Sequence, residues 1–332
     1  MTYPFATPLQ ADRLAGLSTL KASNYDISAT CNLTCEGCLF FAREGGVPFD
    51  QGDDAAWEAR FAAEAARGVN FAYLAGAEPS MVPQRIAAAW RHIKAGVIFT
   101  NGTRRIDPDI GYRIHVSLWG LGEMAATLRG GDSVAKALRN YGRDPRAVFV
   151  LTISRANLHQ IGEVARRVAE AGGKLTFSYF SPTLAYQRNL GKGTATSDYM
   201  RLDDDMRLSA DDLAKARTGI EAAMTAHPDT VRYSLDYDDW VRQSGDALYA
   251  IDAEGLATNC GNRLSSVHRH YTHDGQPSTG KCCSPNLDCR ECRAYAMAMG
   301  TFVSRPQTDR NARRARLRAM RLWYDLFMPL DG

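Results

Sequence analysis

The sequence predicts an α/β protein, a partial (β/α)6 barrel followed by a small cysteine-rich C-terminal region and a terminal helix. Three observations carry this. Short apolar or β-branched runs alternate with amphipathic stretches from about residue 22 to about residue 226. Polar segments follow the runs at the same end of successive units. A second group of cysteines lies well beyond the last unit. Such alternation implies parallel strands and right-handed crossovers, in a barrel or an open doubly wound sheet.

The strand candidates, in order, are Ala22–Ala29, Asn70–Leu74, Gly96–Thr100, Arg113–Leu118, Val148–Ile153 and Leu175–Phe180. Leu158–Ala171 reads as a helix, because Ile161, Val164, Ala165 and Val168 recur at helical spacing before the stop Gly172-Gly173. The polar marks decide for a barrel. Cys31–Cys38 follows the first strand, Gly76-Ala77-Glu78-Pro79 the second and Thr100-Asn101-Gly102 the third. Ser117-Leu118-Trp119-Gly120 ends the fourth and Thr152-Ile153-Ser154-Arg155 the fifth. In a TIM-like barrel the C-terminal strand ends converge on one mouth, where active sites are built. Residues 1–235 are assigned to the barrel, with a core at about 22–182 and a helical, acidic extension; residues 236–332 hold the cysteine-rich region and a basic helix.

Composition sets the outer bounds. The 332 residues are 45% hydrophobic and 23% charged, and the net charge of +3 is too small to argue for nucleic acid. No run approaches the ~20 apolar residues of a membrane span. The opening MTYPFATPLQADRLAGL has neither the charged start nor the apolar centre of a signal peptide, so a cytoplasmic protein is expected. The eight cysteines fall in two clusters, a pattern that in a reducing compartment points to metal. Arginines concentrate in 310–321, read as a solvated helix face packed through Leu317, Met320, Trp323 and Tyr324. The lesser reading of that face is a dock for an acidic electron donor.

The run Cys31-Asn-Leu-Thr-Cys35-Glu-Gly-Cys38 carries the chemistry. Thiolates are soft ligands suited to iron–sulfur clusters, and three of them on a four-iron cubane leave one iron open to substrate or cofactor. The three-then-two spacing resembles the signature loop of the radical S-adenosylmethionine (SAM) enzymes. The resemblance implies a 4Fe–4S cluster on Cys31, Cys35 and Cys38 whose fourth iron is chelated by SAM. Gly76-Ala77-Glu78-Pro79 looks like the family's Gly-Gly-Glu-Pro segment, which holds the methionine ammonium; Ala77 replaces the second glycine, and a positive φ there would require a remodelled loop. The resemblance also implies that Asn101, Ser117, Ser154 and Arg155 lie along the SAM site. Val116-Ser-Leu-Trp-Gly120, Leu128-Arg129-Gly130 and Lys136-Ala-Leu-Arg-Asn140 look like the pattern of members with C-terminal auxiliary clusters, with Trp119 in place of an aspartate. Gly37 stands where the family often has an aromatic residue near the adenine, a place that Phe40 or Phe41 can take over.

The second group is Cys260, Cys282, Cys283, Cys289 and Cys292. A turn at Tyr271-Thr-His-Asp-Gly275 and the CxxC pair Cys289–Cys292 resemble the short "twitch" form of the SPASM auxiliary-cluster domain. Four thiolates suffice for a second 4Fe–4S cluster, and the spare cysteine is Cys282 or Cys283. Structural zinc is the alternative, since zinc accepts the same ligands. His268, His270 and His273 are read as surface residues of the hairpin rather than ligands. The acidic positions Asp198, Asp203–Asp205, Asp211, Asp212, Asp236, Asp238 and Asp239 are read mainly as helix caps and solvated faces.

The resemblance implies reductive cleavage of SAM to a 5′-deoxyadenosyl radical that abstracts hydrogen from substrate, with a flavodoxin- or ferredoxin-type donor supplying the electron. An auxiliary cluster suits an overall oxidation. A small polar metabolite, such as an amino sugar or aminocyclitol, is favoured over maturation of a ribosomal peptide, because only 30 residues precede Cys31. A non-enzymatic two-cluster electron carrier is the third reading, and it has no need of Gly76–Pro79.

Overall fold

A computed structural model of the chain describes residues 20–40, 52–131, 133–192, 199–200, 202–243, 248–261, 267–278, 287–304 and 310–330. Seven strands form one parallel sheet: β1 (Ala22–Asp26), β2 (Phe71–Ala75), β3 (Gly96–Thr100), β4 (Arg113–Leu118), β5 (Ala147–Ile153), β6 (Leu175–Tyr179) and β7 (His270–Tyr271), in the order β6-β5-β4-β3-β2-β1-β7. The helices are α1 (Asp54–Ala66), α2 (Pro83–His92), α3 (Gly122–Arg129), α4 (Val134–Tyr141), α5 (Ile161–Glu170), α6 (Leu184–Asn189), α7 (Ala210–Ala226), α8 (Leu235–Val241), α9 (Tyr295–Ser304) and α10 (Arg310–Phe327). The six expected strands are present as an open, partial barrel, and no helix lies between β3 and β4. The first strand stops at Asp26 rather than Ala29, and the helix expected from Leu158 begins with a 3-10 turn, Leu158–Gln160, before α5.

Each helix has a local cause. Asp53 caps α1 by accepting from the Ala55 amide, and Ser209 and Asp212 form a reciprocal capping box at α7. In α5 Ile161, Val164, Ala165 and Val168 are the buried stripe. On the outer face of the sheet, Tyr25 of β1 meets Phe61 of α1 edge-on at 5.0 Å.

What covers part of the inner face is not evident from the sequence. The register places Tyr73, Phe99 and His115 on that face of adjacent strands, and the end of α10 packs against them. Phe327 lies 4.9 Å from the His115 ring, 6.2 Å from Tyr73 and 5.2 Å from Tyr295 of α9. Arg113 donates to the Asp325 carbonyl (2.9 Å) and His115 Nε2 donates to that of Leu326 (2.8 Å), so β4 caps the last turn of α10. The helix buries Ala319, Trp323, Leu326 and Phe327; Leu317, expected to pack, is 45% exposed. One hydrophobic core runs from Tyr25 to Phe327 and includes residues on both sides of position 235. No helix among the described residues is long and apolar enough to cross a membrane.

Burial holds the His115 imidazole down at about 3, against an ordinary 6.5. The unfolded chain therefore takes up a proton that the native state refuses. This residue's stability contribution is complete above about pH 6.5 and is lost as pH falls toward 3. Stability is expected to drop by about 2 kcal/mol more between pH 7 and pH 5 in the wild type than in His115→Gln, which keeps a donor for the Leu326 carbonyl. Urea denaturation of both proteins at the two pH values checks this; parallel losses would sink it.

Candidate functional site

The cysteine loop leaves β1 and leans on two other segments through three backbone bonds. Glu36 N–H donates to the Leu128 carbonyl (2.7 Å), Thr34 N–H to that of Arg129 (3.2 Å) and Gly37 N–H to that of Tyr199 (2.7 Å). Gly130, at φ +67°, lies against Thr34 so closely that a Cβ would sit 2.0 Å from its Oγ1. Arg129 is buried, and its guanidinium donates to the Ser117 carbonyl (2.7 Å) and hydroxyl (3.1 Å). The Leu128-Arg129-Gly130 segment thus seats the loop and ties it to the end of β4. That role was not evident in the sequence, although a buried arginine beside a tight glycine was its signal.

Glu78 joins the ends of β2 and β3. Its carboxylate accepts from Ser80 N–H (3.0 Å), Thr100 Oγ1 (2.6 Å) and Asn101 N–H (2.7 Å). Asn101 continues the chain: its Nδ2 donates to Asn32 Oδ1 (2.8 Å) and reaches Cys31 Sγ at 3.7 Å. Gly76 carries the strained backbone of this segment, at φ +123°, where a Cβ would lie 2.9 Å from the Ser28 backbone. Ala77 has no positive φ and donates to the Ser28 carbonyl (2.9 Å), so the alanine needs no remodelled loop. Glu78→Gln would turn an amide NH2 toward the Thr100 or Asn101 donors. A stability loss on the order of 1–3 kcal/mol is expected, with weaker SAM binding if the segment holds SAM. Chemical denaturation and SAM titration check the two parts separately.

None of the three thiols is in a disulfide, and each is partly buried. Cys31 Sγ accepts from the Leu33 N–H (3.4 Å), and burial pushes its thiol up to about 11. Its proton must therefore leave when a metal binds. Among the described residues no three Cys, His, Asp or Glu side chains already converge on one ion. The donor set nonetheless fits an iron–sulfur cluster: three soft ligands on one short loop that is anchored through its backbone.

Tyr73, Ala75, Phe99, Ser117, Thr152 and Ser178 are all partly exposed on the inner sheet face, one or two from each of β2 to β6; Tyr73 lies by Phe327 of α10, and Ser178 Oγ accepts from Tyr295 N–H of α9 (3.2 Å). Tyr73 and Phe99 stack at 6.2 Å. None of these six side chains is charged. Ser154 is fully buried and its hydroxyl has no hydrogen-bond partner among the described residues. Arg155 points outward, 59% exposed, with Asp212 at 3.8 Å. Space at Gly37 is taken by Tyr186, Met206 and Phe180, whereas Phe40 lies 6.1 Å from the His273 ring; Phe41 is outside the described residues.

In the C-terminal region Cys260 and Cys292 are buried and Cys289 is partly so; Cys282 and Cys283 lie outside the described residues. The turn at 271–275 is present, with Gly275 N–H bonded to the Thr272 carbonyl (2.7 Å). The expectation for the histidines is corrected at two positions. His268 is buried, and His270 is fully buried on β7, 3.1 Å from Asp26 Oδ2, because β7 joins the sheet beside β1 instead of standing in solvent.

The architecture is similar to that of anSMEcpe with bound AdoMet, with a TM-score of 0.53 and 14% identity over 92% of this chain and 88% of that one. The chain has that fold. It is similar as well to SuiB of Streptococcus suis bound to S-adenosylmethionine, with a TM-score of 0.53 and 12% identity over 82% of this chain and 63% of SuiB. SuiB bound to precursor peptide SuiA gives the same TM-score of 0.53, with 14% identity over 98% and 71% of the two chains. No protein-family model matches the sequence, and no curated protein matches it by sequence. This fold accounts for the one-sided placement of the polar segments: all of them leave the C-terminal ends of parallel strands.

Proposed function

We propose that this protein is a radical SAM enzyme. The observation that carries the reading is the hydrogen-bonded bridge from Glu78 through Asn101 to Cys31, which fixes the cysteine loop against the ends of β2 and β3. The fold shared with AdoMet-bound anSMEcpe and SuiB supports it. Cys31, Cys35 and Cys38 would hold a 4Fe–4S cluster, and Gly76–Pro79, Asn101, Ser117 and Ser154 would lie along SAM. When bound, the cluster and SAM supply a 5′-deoxyadenosyl radical for hydrogen abstraction. The chain's own share is to hold SAM at the C-terminal strand ends and keep water from the reacting atoms. The uncommitted Ser154 hydroxyl is suited to a ligand's polar group. Anaerobic reconstitution with iron and sulfide, reduction, and measurement of 5′-deoxyadenosine test the reading. Iron-loaded protein that forms none would overturn it and favour the two-cluster electron carrier.

For the substrate, a peptide is better supported than the small polar metabolite favoured by the sequence. The SuiB structure with precursor peptide SuiA supports it. An oxidative outcome rests on a second 4Fe–4S cluster at Cys260, Cys289, Cys292 and one of Cys282 or Cys283. Reconstituted protein is expected to hold about eight irons per chain, and about four when Cys289 and Cys292 are both replaced by alanine. Stoichiometric zinc beside about four irons would refute the second cluster.

A further inference from the structure

A cleft lies beside the connection from β3 to β4, away from the cysteine loop's residues. Between these strands no helix forms; residues 101–112 cross in irregular conformation, although a parallel crossover is most often helical. The crossing is clamped in place. Tyr141 accepts from the Ile106 N–H (2.9 Å) and donates to the Arg104 carbonyl (2.7 Å). Arg146 donates to the carbonyls of Asp107 (2.7 Å) and Ile110 (2.6 Å) while chelating Asp144. Between this crossing, α4 and the last turn of α5 is a cleft of about 1040 Å³.

We propose that this cleft binds a phosphate-bearing ligand of nucleotide size. Five arginines line it, Arg105, Arg139, Arg143, Arg146 and Arg167, against Asp107, Asp144 and Glu170. Two of the three acids are already engaged, Asp144 by Arg146 and Glu170 by Arg166. Arg105, Arg139 and Arg143 are exposed and form no ion pair among the described residues; Arg105 touches only Asn140 Oδ1 (3.4 Å) and the Arg139 carbonyl (3.3 Å). Guanidinium forks match the oxygens of phosphate in pairs, and three uncommitted forks on a clamped wall suit more than one phosphate. The volume suits a nucleotide and greatly exceeds what a lone phosphate fills. Apolar Pro108, Leu138 and Pro145 provide surface for a base.

Calorimetric titration of the full chain with ATP, inorganic phosphate, adenosine and a glutamate-rich peptide, at matched ionic strength and without magnesium, tests the proposal. ATP should bind far more tightly than phosphate or adenosine. The double variant Arg139→Gln/Arg143→Gln should weaken ATP at least about tenfold, with unchanged melting temperature and SAM affinity. Arg143→Glu, a surface change outside the SAM site, should weaken ATP further. The proposal is overturned by absent ATP binding at millimolar concentration, by equal affinity in the double variant, by competition between ATP and SAM, or by a peptide, phosphate or adenosine that binds as tightly as ATP.

Discussion

Replacement of Cys31, Cys35 and Cys38 together by alanine is expected to eliminate 5′-deoxyadenosine formation while leaving the fold intact. The variant loses the contacts of Leu33 N–H and Asn101 to Cys31 Sγ but keeps the backbone bonds from Thr34, Glu36 and Gly37 and the bond from Asn101 to Asn32, none of which uses a thiol. Thermal unfolding should therefore shift little in the metal-free state, while iron falls to what the proposed C-terminal site holds. Retained SAM cleavage in the triple variant would remove the loop from the chemistry.

Phe327→Ala is expected to destabilise the protein by about 3–5 kcal/mol, the range for truncating a fully buried aromatic side chain. The ring is completely buried and stacks on Trp323 at 5.0 Å while touching Tyr73, His115 and Tyr295. Its loss leaves a cavity bounded by two strands and two helices, with little freedom to collapse. Equilibrium denaturation measures the effect. A loss below about 1 kcal/mol would mean that α10 contributes little to the barrel's stability.

The strands were legible because buried parallel strands are written as continuous apolar runs, and Gly96–Thr100 and Arg113–Leu118 match to the residue. The cysteine loop and Gly76–Pro79 were legible because their spacing is local. What escaped was long-range. Nothing in His270-Tyr271 reveals that so short a segment would pair with β1, since its partner is more than 240 residues away. Of the packing face expected for α10, Trp323 is buried but Leu317 is exposed: the arginine-rich half looks amphipathic by itself, whereas the strands also select Leu326 and Phe327. Glu78 read as a ligand for an ammonium; its three protein donors show that it is also the joint between two strand ends.

The docking of α10 inside the sheet has a consequence for the order in which the molecule is made. A chain synthesised from its N-terminus completes β1 to β6 by residue 179, more than 130 residues before α10 begins. Until then Tyr73, Phe99 and His115 have nothing to lie on, and Arg113 and His115 lack the carbonyls they will later cap. The half-made sheet lacks the cover that α10 gives this stretch of its inner face, and arrival of Phe327 supplies it. That closing contact, joining residues about 210 positions apart, is costly in chain entropy and late.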